Sequence, residues 1–236
     1  MLLQQSTQRT LVQDWLVHRL TKNLGSTVGY KVGCTQSECK INAGGESSIL
    51  WLLLGAIYHS PAIIHSNKRH MIGVEPEITI QLSDDLACGR PWTPERVTAV
   101  VDNAMPAIEI VESQFSTWPN MGILTAIEDN EVHRKVNLEK PVSSWTVQSI
   151  LETEVSLSAD GTIVRFGNSN NIDRSPFGVV ACLANQLNSQ RRALKSDDVV
   201  TTSVMADIYD AILDQRLIAD YTQLSTVEMQ TLSKPE

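Results

Sequence analysis

The stretch "GVEPEITIQL", residues 73–82, carries the pattern on which the fold and the candidate site both depend. Apolar and polar side chains alternate along it, which is the period of a β-strand. Because successive side chains of a strand point to opposite faces, Glu75 and Glu77 lie side by side on one face. The other face is apolar, with Val74, Ile78, Ile80 and Leu82. Two interpretations follow: an exposed face opposite a core face, or a pair of carboxylates that acts together.

A third glutamate favours the second interpretation. Glu109 lies 32 residues after Glu77 in "AMPAIEIVES", a segment whose apolar residues occupy both faces of the predicted strand. A carboxylate in such surroundings is paired or bound to a metal, because burying it without a partner is too costly. Three carboxylates in one cavity repel each other unless a divalent cation lies between them. Ligands that are all oxygen indicate Mg²⁺, with Mn²⁺ or Ca²⁺ as substitutes, rather than zinc.

The composition indicates a globular domain with small-molecule chemistry. The chain has 236 residues, of which 42% are hydrophobic and 19% charged, and its net charge is -8. This acidic balance argues against nucleic acid or an anionic membrane as partner, since both select for Lys and Arg. The apolar run 49–57 is shorter than the ~20 residues of a membrane span. The N-terminal residues do not have the pattern of a secretory signal, so we expect a cytoplasmic protein.

The four cysteines are widely spaced, which is typical of reduced thiols in the cytoplasm. An alternative is a zinc site that combines Cys34 and Cys39 with His59 or His65. We favour another interpretation of the histidines, because His59, His65 and His70 belong to a polar stretch that is typical of a surface loop.

The order of predicted elements indicates a single α+β domain over residues 1–236, with an N-terminal helical segment over about 1–27 and a β-rich core over about 28–236. Helices are predicted over 7–24, 93–104 and 175–190, the last two from capping residues followed by proline. The run 47–58 is buried as helix or strand, which periodicity alone does not distinguish. Several strands are predicted in 133–166, and two or three in 198–232.

Several ordered motifs give the chain a resemblance to a known family. They are "GYKVGCT", "VEPEI" with "DDL", "PAIEIVES", "EDN", "PFGVVACLANQL", "LKSDDVVTTS" and "LIADYTQLSTVEM". This set resembles the 2-hydroxypenta-2,4-dienoate hydratase (2-keto-4-pentenoate hydratase) and 4-oxalocrotonate decarboxylase group of the fumarylacetoacetate hydrolase superfamily. The resemblance implies a mixed β-sheet roll like the fumarylacetoacetase C-terminal domain, a catalytic Mg²⁺ or Mn²⁺, and a homo-oligomer or association with a sister subunit.

The resemblance also implies roles for individual residues. Glu75, Glu77 and Glu109 match the three metal ligands of the family, and Lys31 of "GYKVG" matches its active-site lysine. A lysine beside a metal-bound substrate can pair with a carboxylate or transfer a proton. Relatives carry an acidic loop resembling "LGVDQPDFG" after the lysine strand. The matching "NAGGESSILW" has Glu46 as its one carboxylate, which makes Glu46 the candidate acid, with Glu131 as a second source.

The function that the resemblance implies is a metal-dependent lyase for a short 2-oxo or 2-hydroxydienoic acid, as in the breakdown of aromatic compounds. Hydration through a metal-stabilised enolate, as in 2-keto-4-pentenoate hydratase, is the predicted reaction. The alternatives are decarboxylation of the 4-oxalocrotonate type and a non-catalytic family member that serves as an assembly partner. The loop "SDDVVTTSVMA" stands where relatives have a "GDVVLTGSLT"-like loop, so the distal part of the substrate pocket is expected to differ.

Overall fold

The computed structural model describes residues 15, 17–33, 48–66, 70–112, 116, 133–142 and 144–233. Strands account for most of the regular structure in these ranges. In chain order they are β1 (Thr27–Gly33), β2 (Ser48–Leu53), β3 (Ile57–His59), β4 (Ala62–Ser66), β5 (Gly73–Leu82), β6 (Val101–Val111), β7 (His133–Leu138), β8 (Glu154–Ala159), β9 (Thr162–Asn168), β10 (Val199–Val204), β11 (Tyr209–Asp210), β12 (Arg216–Tyr221) and β13 (Thr226–Ser233).

The helices are short except for one, and they connect or cover the strands. They are α1 (residues 17–24), α2 (Pro94–Thr98), α3 (Val147–Leu151) and α4 (Ser175–Ser189), with 3₁₀ turns at Leu54–Ala56 and Ser169–Asn171. In the described ranges, no helix is both long and apolar enough to span a bilayer.

The strands form two sheets. The larger one has eight strands in the order β2-β1-β10-β5-β6-β7-β3, with β11 paired to β5, and the smaller one has the order β4-β13-β12-β8-β9. Each sheet combines parallel and antiparallel neighbours: β1 is parallel to β10 and β4 to β13, whereas β5 is antiparallel to β6 and β12 to β13. The predicted α+β fold with mixed sheets is therefore confirmed.

The main core lies between the two sheets and under α4. Ile78 and Ile80 of β5, Leu217 of β12 and Leu183 of α4 belong to one cluster of buried side chains and are at most 1% exposed. Their burial holds β5 in the centre of the larger sheet, since apolar area removed from water is the main stabilising term. The opposite side of β5 presents the polar side chains of the candidate site.

The helix predicted over 93–104 is wrong in its second half. Its start is confirmed, because the Thr93 side chain accepts a bond from the Arg96 N–H and Pro94 is the first helical residue. However, the helix ends at Thr98, and β6 begins at Val101, which pairs with Leu82. Pairing with β5 along the whole of β6 outweighs the local helical signal, and the β-branched valines at 100 and 101 suit a strand.

Other segments agree with the sequence in part. The run 47–58, left open as helix or strand, is strand β2 followed by a 3₁₀ turn and β3. Helix α4 confirms the helix at 175–190, and the Ser175 hydroxyl accepts a bond from the Gly178 N–H. The segment 133–166 contains strands β7 to β9 but also α3, which was not predicted. The segment 198–232 contains four strands rather than two or three. The helix predicted from residue 7 is helical at 17–24, and its start lies outside the described residues.

Candidate metal centre

The structure brings three glutamates together on β5 and β6. Glu75 and Glu109 are directly opposite each other in the antiparallel pair, and Glu77 follows two residues later on the same face of β5. One carboxylate oxygen from each residue lies within 4.8 Å of the others. Within the described part of the chain, this is the one group of His, Cys, Asp or Glu side chains found with ligand atoms so close together.

The interpretation of this strand face as exposed is wrong. Glu77, Thr79 and Glu109 are 0% exposed, whereas Glu75 and Gln81 retain some access to solvent. β5 is a central strand, paired with β10 and β6, and the Lys31 side chain of β1 lies against the glutamates on this face. The same face of β6 carries Ala107, which packs in a small apolar cluster with Met105 of the same strand and with buried residues of the neighbouring strands: Val136, Leu138 and Val199.

Lys31 contacts this acidic cluster from β1. Its Nζ lies 2.6 Å from Oε1 of Glu109 and 3.9 Å from Oε2 of Glu75, and its side chain is 6% exposed. With all four groups ionised, three negative charges face one positive charge. The arrangement keeps a net negative charge in a site with little access to water, which favours the binding of a further cation.

The Glu77 carboxylate is fully buried in the cluster. Burial raises the pKa of Glu77 well above its ordinary value, the charge of Glu109 raises it further, and Lys31 opposes this effect. Oε2 accepts a bond of 3.3 Å from the N–H of Ser203, whereas Oε1 has no hydrogen-bond partner in the described structure. A buried carboxylate oxygen without a donor fits the role of a metal ligand, and an all-oxygen set suits Mg²⁺ or Mn²⁺.

The donor to Glu77 depends on an irregularity in β10. The register between β10 and β5 shifts between Thr201 and Val204, and Ser203 in this interval has a φ of 94°. Such a shift in an antiparallel pair is a β-bulge, which changes the direction of a backbone group. Here it directs the N–H of Ser203 at the Glu77 carboxylate.

Tyr221 is a residue of the site that the sequence did not identify. The Glu77 N–H donates to the Tyr221 hydroxyl at 3.1 Å, and this hydroxyl donates to the Ala107 carbonyl. Tyr221 lies on β12 of the smaller sheet and is 2% exposed, so burial raises the pKa of Tyr221 and it keeps its proton. The hydroxyl therefore joins the two strands that carry the glutamates. The available signal was an aromatic hydroxyl at the end of an apolar strand, since a buried tyrosine needs a hydrogen-bond partner.

Other candidates lie outside the described residues or away from the cluster. Glu46 and Glu131 are not in the described ranges, and neither are Cys34 and Cys39 of the alternative zinc site. The three histidines at 59, 65 and 70 are exposed, as the surface-loop interpretation predicted, although His59 and His65 lie on the strands β3 and β4.

The comparisons with known proteins rest on structure alone. No protein-family model and no curated protein sequence matches the chain. Among solved structures, 4-oxalocrotonate decarboxylase from Pseudomonas putida G7, complexed with magnesium and adipate, matches with a TM-score of 0.83 and 18% identity over 92% of this chain and 83% of that chain. Fumarylpyruvate hydrolase from Pseudomonas aeruginosa, in complex with Mn²⁺ and pyruvate, matches with a TM-score of 0.64 and 13% identity over 87% and 89%.

The fold defines a class: mixed-sheet α+β proteins similar to the solved structures of 4-oxalocrotonate decarboxylase and fumarylpyruvate hydrolase. Within that class, the chain has the fold of 4-oxalocrotonate decarboxylase over nearly its whole length. The fold that the sequence motifs implied is thus confirmed. At 18% identity the likeness establishes the fold, and the chemistry has to be argued from the residues of this chain.

Proposed function

We propose that the protein is a metal-dependent lyase of the fumarylacetoacetate hydrolase superfamily that acts on a short 2-oxo or 2-hydroxydienoic acid. The observation that carries this proposal is the buried cluster of Glu75, Glu77 and Glu109 with the Lys31 ammonium 2.6 Å from Glu109. A structural role for one lysine and three carboxylates, two of them fully buried, is disfavoured, because apolar side chains of the same shape avoid the cost of their desolvation.

In this proposal the three glutamates hold a divalent cation, Mg²⁺ or Mn²⁺, as the metal complexes of the two matching enzymes support. When bound, the cation supplies Lewis-acid polarisation of the substrate's 2-oxo group. Lys31 is the residue that holds or transfers a proton, because its Nζ lies beside two of the glutamates in a site with little access to water. The apolar cluster around Ala107 limits the entry of further water on this side of the sheet.

Hydration is the proposed reaction, and decarboxylation is the second candidate. The second candidate is favoured by the match to 4-oxalocrotonate decarboxylase at a TM-score of 0.83. The two reactions share the metal and the lysine and differ in what surrounds the distal end of the substrate. Incubation with 2-hydroxypenta-2,4-dienoate and with 4-oxalocrotonate, followed by NMR of the products, separates a hydroxylated product from loss of CO₂.

The test of the site itself is calorimetric binding of oxalate, a mimic of the enolised 2-oxo acid. We expect binding in the presence of Mg²⁺ or Mn²⁺ and none after chelation, because oxalate binds through the cation. Absence of binding with both metals contradicts the proposal and leaves the non-catalytic assembly partner as the better account. Sedimentation analysis of the same sample tests the predicted homo-oligomer.

The raised pKa of Glu77 predicts how stability depends on pH. A carboxyl whose pKa is higher in the folded than in the unfolded state binds more protons when folded, so the metal-free protein loses stability as the pH rises between the two values. We expect the difference in melting temperature between Glu77→Gln and wild type, measured in EDTA, to grow with pH over this window. A constant difference contradicts the assigned pKa shift. With Mn²⁺ present the wild type is expected to gain stability at the higher pH, since the metal binds the ionised form.

Tyr221→Phe is expected to weaken metal binding about tenfold, because the Glu77 N–H loses its acceptor and groups behind a metal ligand carry effects of this size. The measurement is calorimetric titration with Mn²⁺, together with thermal unfolding. Ser169→Ala is the matched control, since the Ser169 hydroxyl is buried and hydrogen-bonded to the Ile150 carbonyl away from the glutamates. We expect both variants to lose stability and only Tyr221→Phe to lose metal affinity. Equal metal affinity in the two variants contradicts the role of Tyr221 in supporting the metal centre.

A further inference from the structure

Two buried threonines whose hydroxyl groups form no hydrogen bond in the described structure lie beside the acidic cluster. Thr79 of β5 and Thr201 of β10 are directly opposite each other in the sheet, and both are 0% exposed. Neither Oγ1 has a hydrogen-bond partner in the described structure. The neighbouring Thr202 differs, because its hydroxyl donates to the Ile78 carbonyl at 2.8 Å. The missing bonds are therefore specific to the pair and not a general property of this segment.

The pair shares its face of the sheet with the metal centre. Thr79 is two residues from Glu77, which puts the two side chains on one face about 7 Å apart along the strand. Thr201 is in register with Lys31 of β1 on its other side. The two hydroxyls thus continue the row of polar groups that begins with the glutamates and Lys31. The distance from the glutamates to the threonines corresponds to a few bonds of a small substrate.

The chemistry of the pair indicates an uncharged oxygen as its ligand. A buried hydroxyl without a partner is costly, and valine has the same shape without that cost, so the hydroxyl groups need a polar ligand to be favourable. A second carboxylate is a poor ligand at this position, because the pair carries no formal charge and the three glutamates repel an anion. Lys31 already contacts Glu109 and Glu75. A hydroxyl group or one water molecule can accept from one threonine and donate to the other.

We propose that Thr79 and Thr201 form a subsite for the distal oxygen of the substrate, the hydroxyl that hydration places on carbon 4 of a 2-oxo acid. This inference rests on the proposed function and deepens it. Addition of water to 2-oxopent-4-enoate gives 4-hydroxy-2-oxopentanoate, whose 2-oxo acid end faces the glutamates while its 4-hydroxyl lies at the threonine pair. The subsite favours hydration over reactions of a substrate with a distal carboxylate.

The test compares three ligands by calorimetry in the presence of Mn²⁺: oxalate, 2-oxopentanoate and 4-hydroxy-2-oxopentanoate. We expect the wild type to bind the hydroxy acid about tenfold more tightly than 2-oxopentanoate, which is the size of one or two hydrogen bonds. Thr79→Val and Thr201→Val are each expected to lose most of this preference and to bind oxalate within about twofold of the wild type. Both variants should unfold at the wild-type temperature or above, because no existing hydrogen bond is removed.

Thr202→Val is the matched control, since its hydroxyl is bonded to the Ile78 carbonyl. It should lose thermal stability and keep the preference for the hydroxy acid. An unchanged preference in Thr79→Val and Thr201→Val, or no preference in the wild type, overturns the subsite while oxalate binding still supports the metal centre. The wild type could instead bind 2-oxoglutarate more tightly than the hydroxy acid and lose this preference in Thr79→Val and Thr201→Val. That result overturns the proposal of an uncharged ligand and indicates that the pair binds a carboxylate. Failure of oxalate to bind the wild type overturns both proposals.

Discussion

Glu77→Gln is expected to lower the affinity for Mn²⁺ at least about 100-fold and to raise the melting temperature of the metal-free protein. The loss exceeds the ~10- to 100-fold effect of groups behind a metal ligand, because the substitution removes one of three anionic ligands. The gain in stability follows from the removal of a carboxylate that is fully buried and repelled by Glu109. Calorimetric titration with Mn²⁺ and thermal unfolding in EDTA measure the two effects.

The control for this experiment is Glu228→Gln. Glu228 lies on β13 of the smaller sheet and accepts a hydrogen bond of 2.8 Å from Arg216 on the exposed side of the strand. This variant should keep its Mn²⁺ affinity and change the melting temperature little, because an exposed ion pair contributes little to stability. Wild-type Mn²⁺ affinity in Glu77→Gln contradicts the assignment of the three glutamates as metal ligands.

Lys31→Met is expected to reduce turnover of 2-hydroxypenta-2,4-dienoate by about 10²- to 10⁴-fold, the range that general acid–base groups contribute. The metal-free variant should also lose about 3 kcal/mol or more of stability, because Glu109 is left buried without its cation. Addition of Mg²⁺ should restore much of this loss, since the divalent ion replaces the missing positive charge. Steady-state kinetics and unfolding with and without Mg²⁺ measure these effects.

Lys195→Met provides the comparison for Lys31. Lys195 also forms an ion pair, with Nζ 2.7 Å from Asp85, but both side chains are largely exposed. Turnover and the response to Mg²⁺ should remain at wild-type values in this variant. Normal turnover by Lys31→Met excludes Lys31 as the proton-transferring residue. If Mg²⁺ stabilises Lys31→Met no more than Lys195→Met, Lys31 does not belong to the metal centre.

The sequence predicted the parts of the site that depend on local alternation. The pattern of "GVEPEITIQL" correctly put Glu75 and Glu77 on one face of a strand, and the apolar neighbours of Glu109 indicated its burial. The same pattern did not reveal that both faces of β5 are covered. Burial of the polar face depends on side chains from other strands, such as Lys31 of β1, which comes from a distant part of the chain.

The contacts that complete the candidate site could not be predicted from local sequence patterns. Tyr221 reaches the backbone of Glu77 across a separation of 144 residues, and Ser203 reaches its carboxylate across 126. No local rule connects such positions, because Ser203 meets Glu77 only when β10 pairs with β5, and Tyr221 meets it only when the two sheets pack. The helix that ended at Thr98 instead of 104 has the same cause: pairing with β5 decided the conformation of residues whose local signals favoured a helix.

Ser203 holds a strained backbone conformation beside the candidate metal centre. A serine at a φ of 94° holds a backbone conformation that L-residues rarely adopt and glycine adopts freely. The strain persists in the residue whose N–H donates to Glu77, on the strand that also supplies Thr201. Selection for heat resistance alone would replace this serine early, because a substitution that removes the strain raises stability. Laboratory evolution toward higher melting temperature, without a requirement for activity, should therefore collect substitutions in residues 201–204 and along the glutamates of β5.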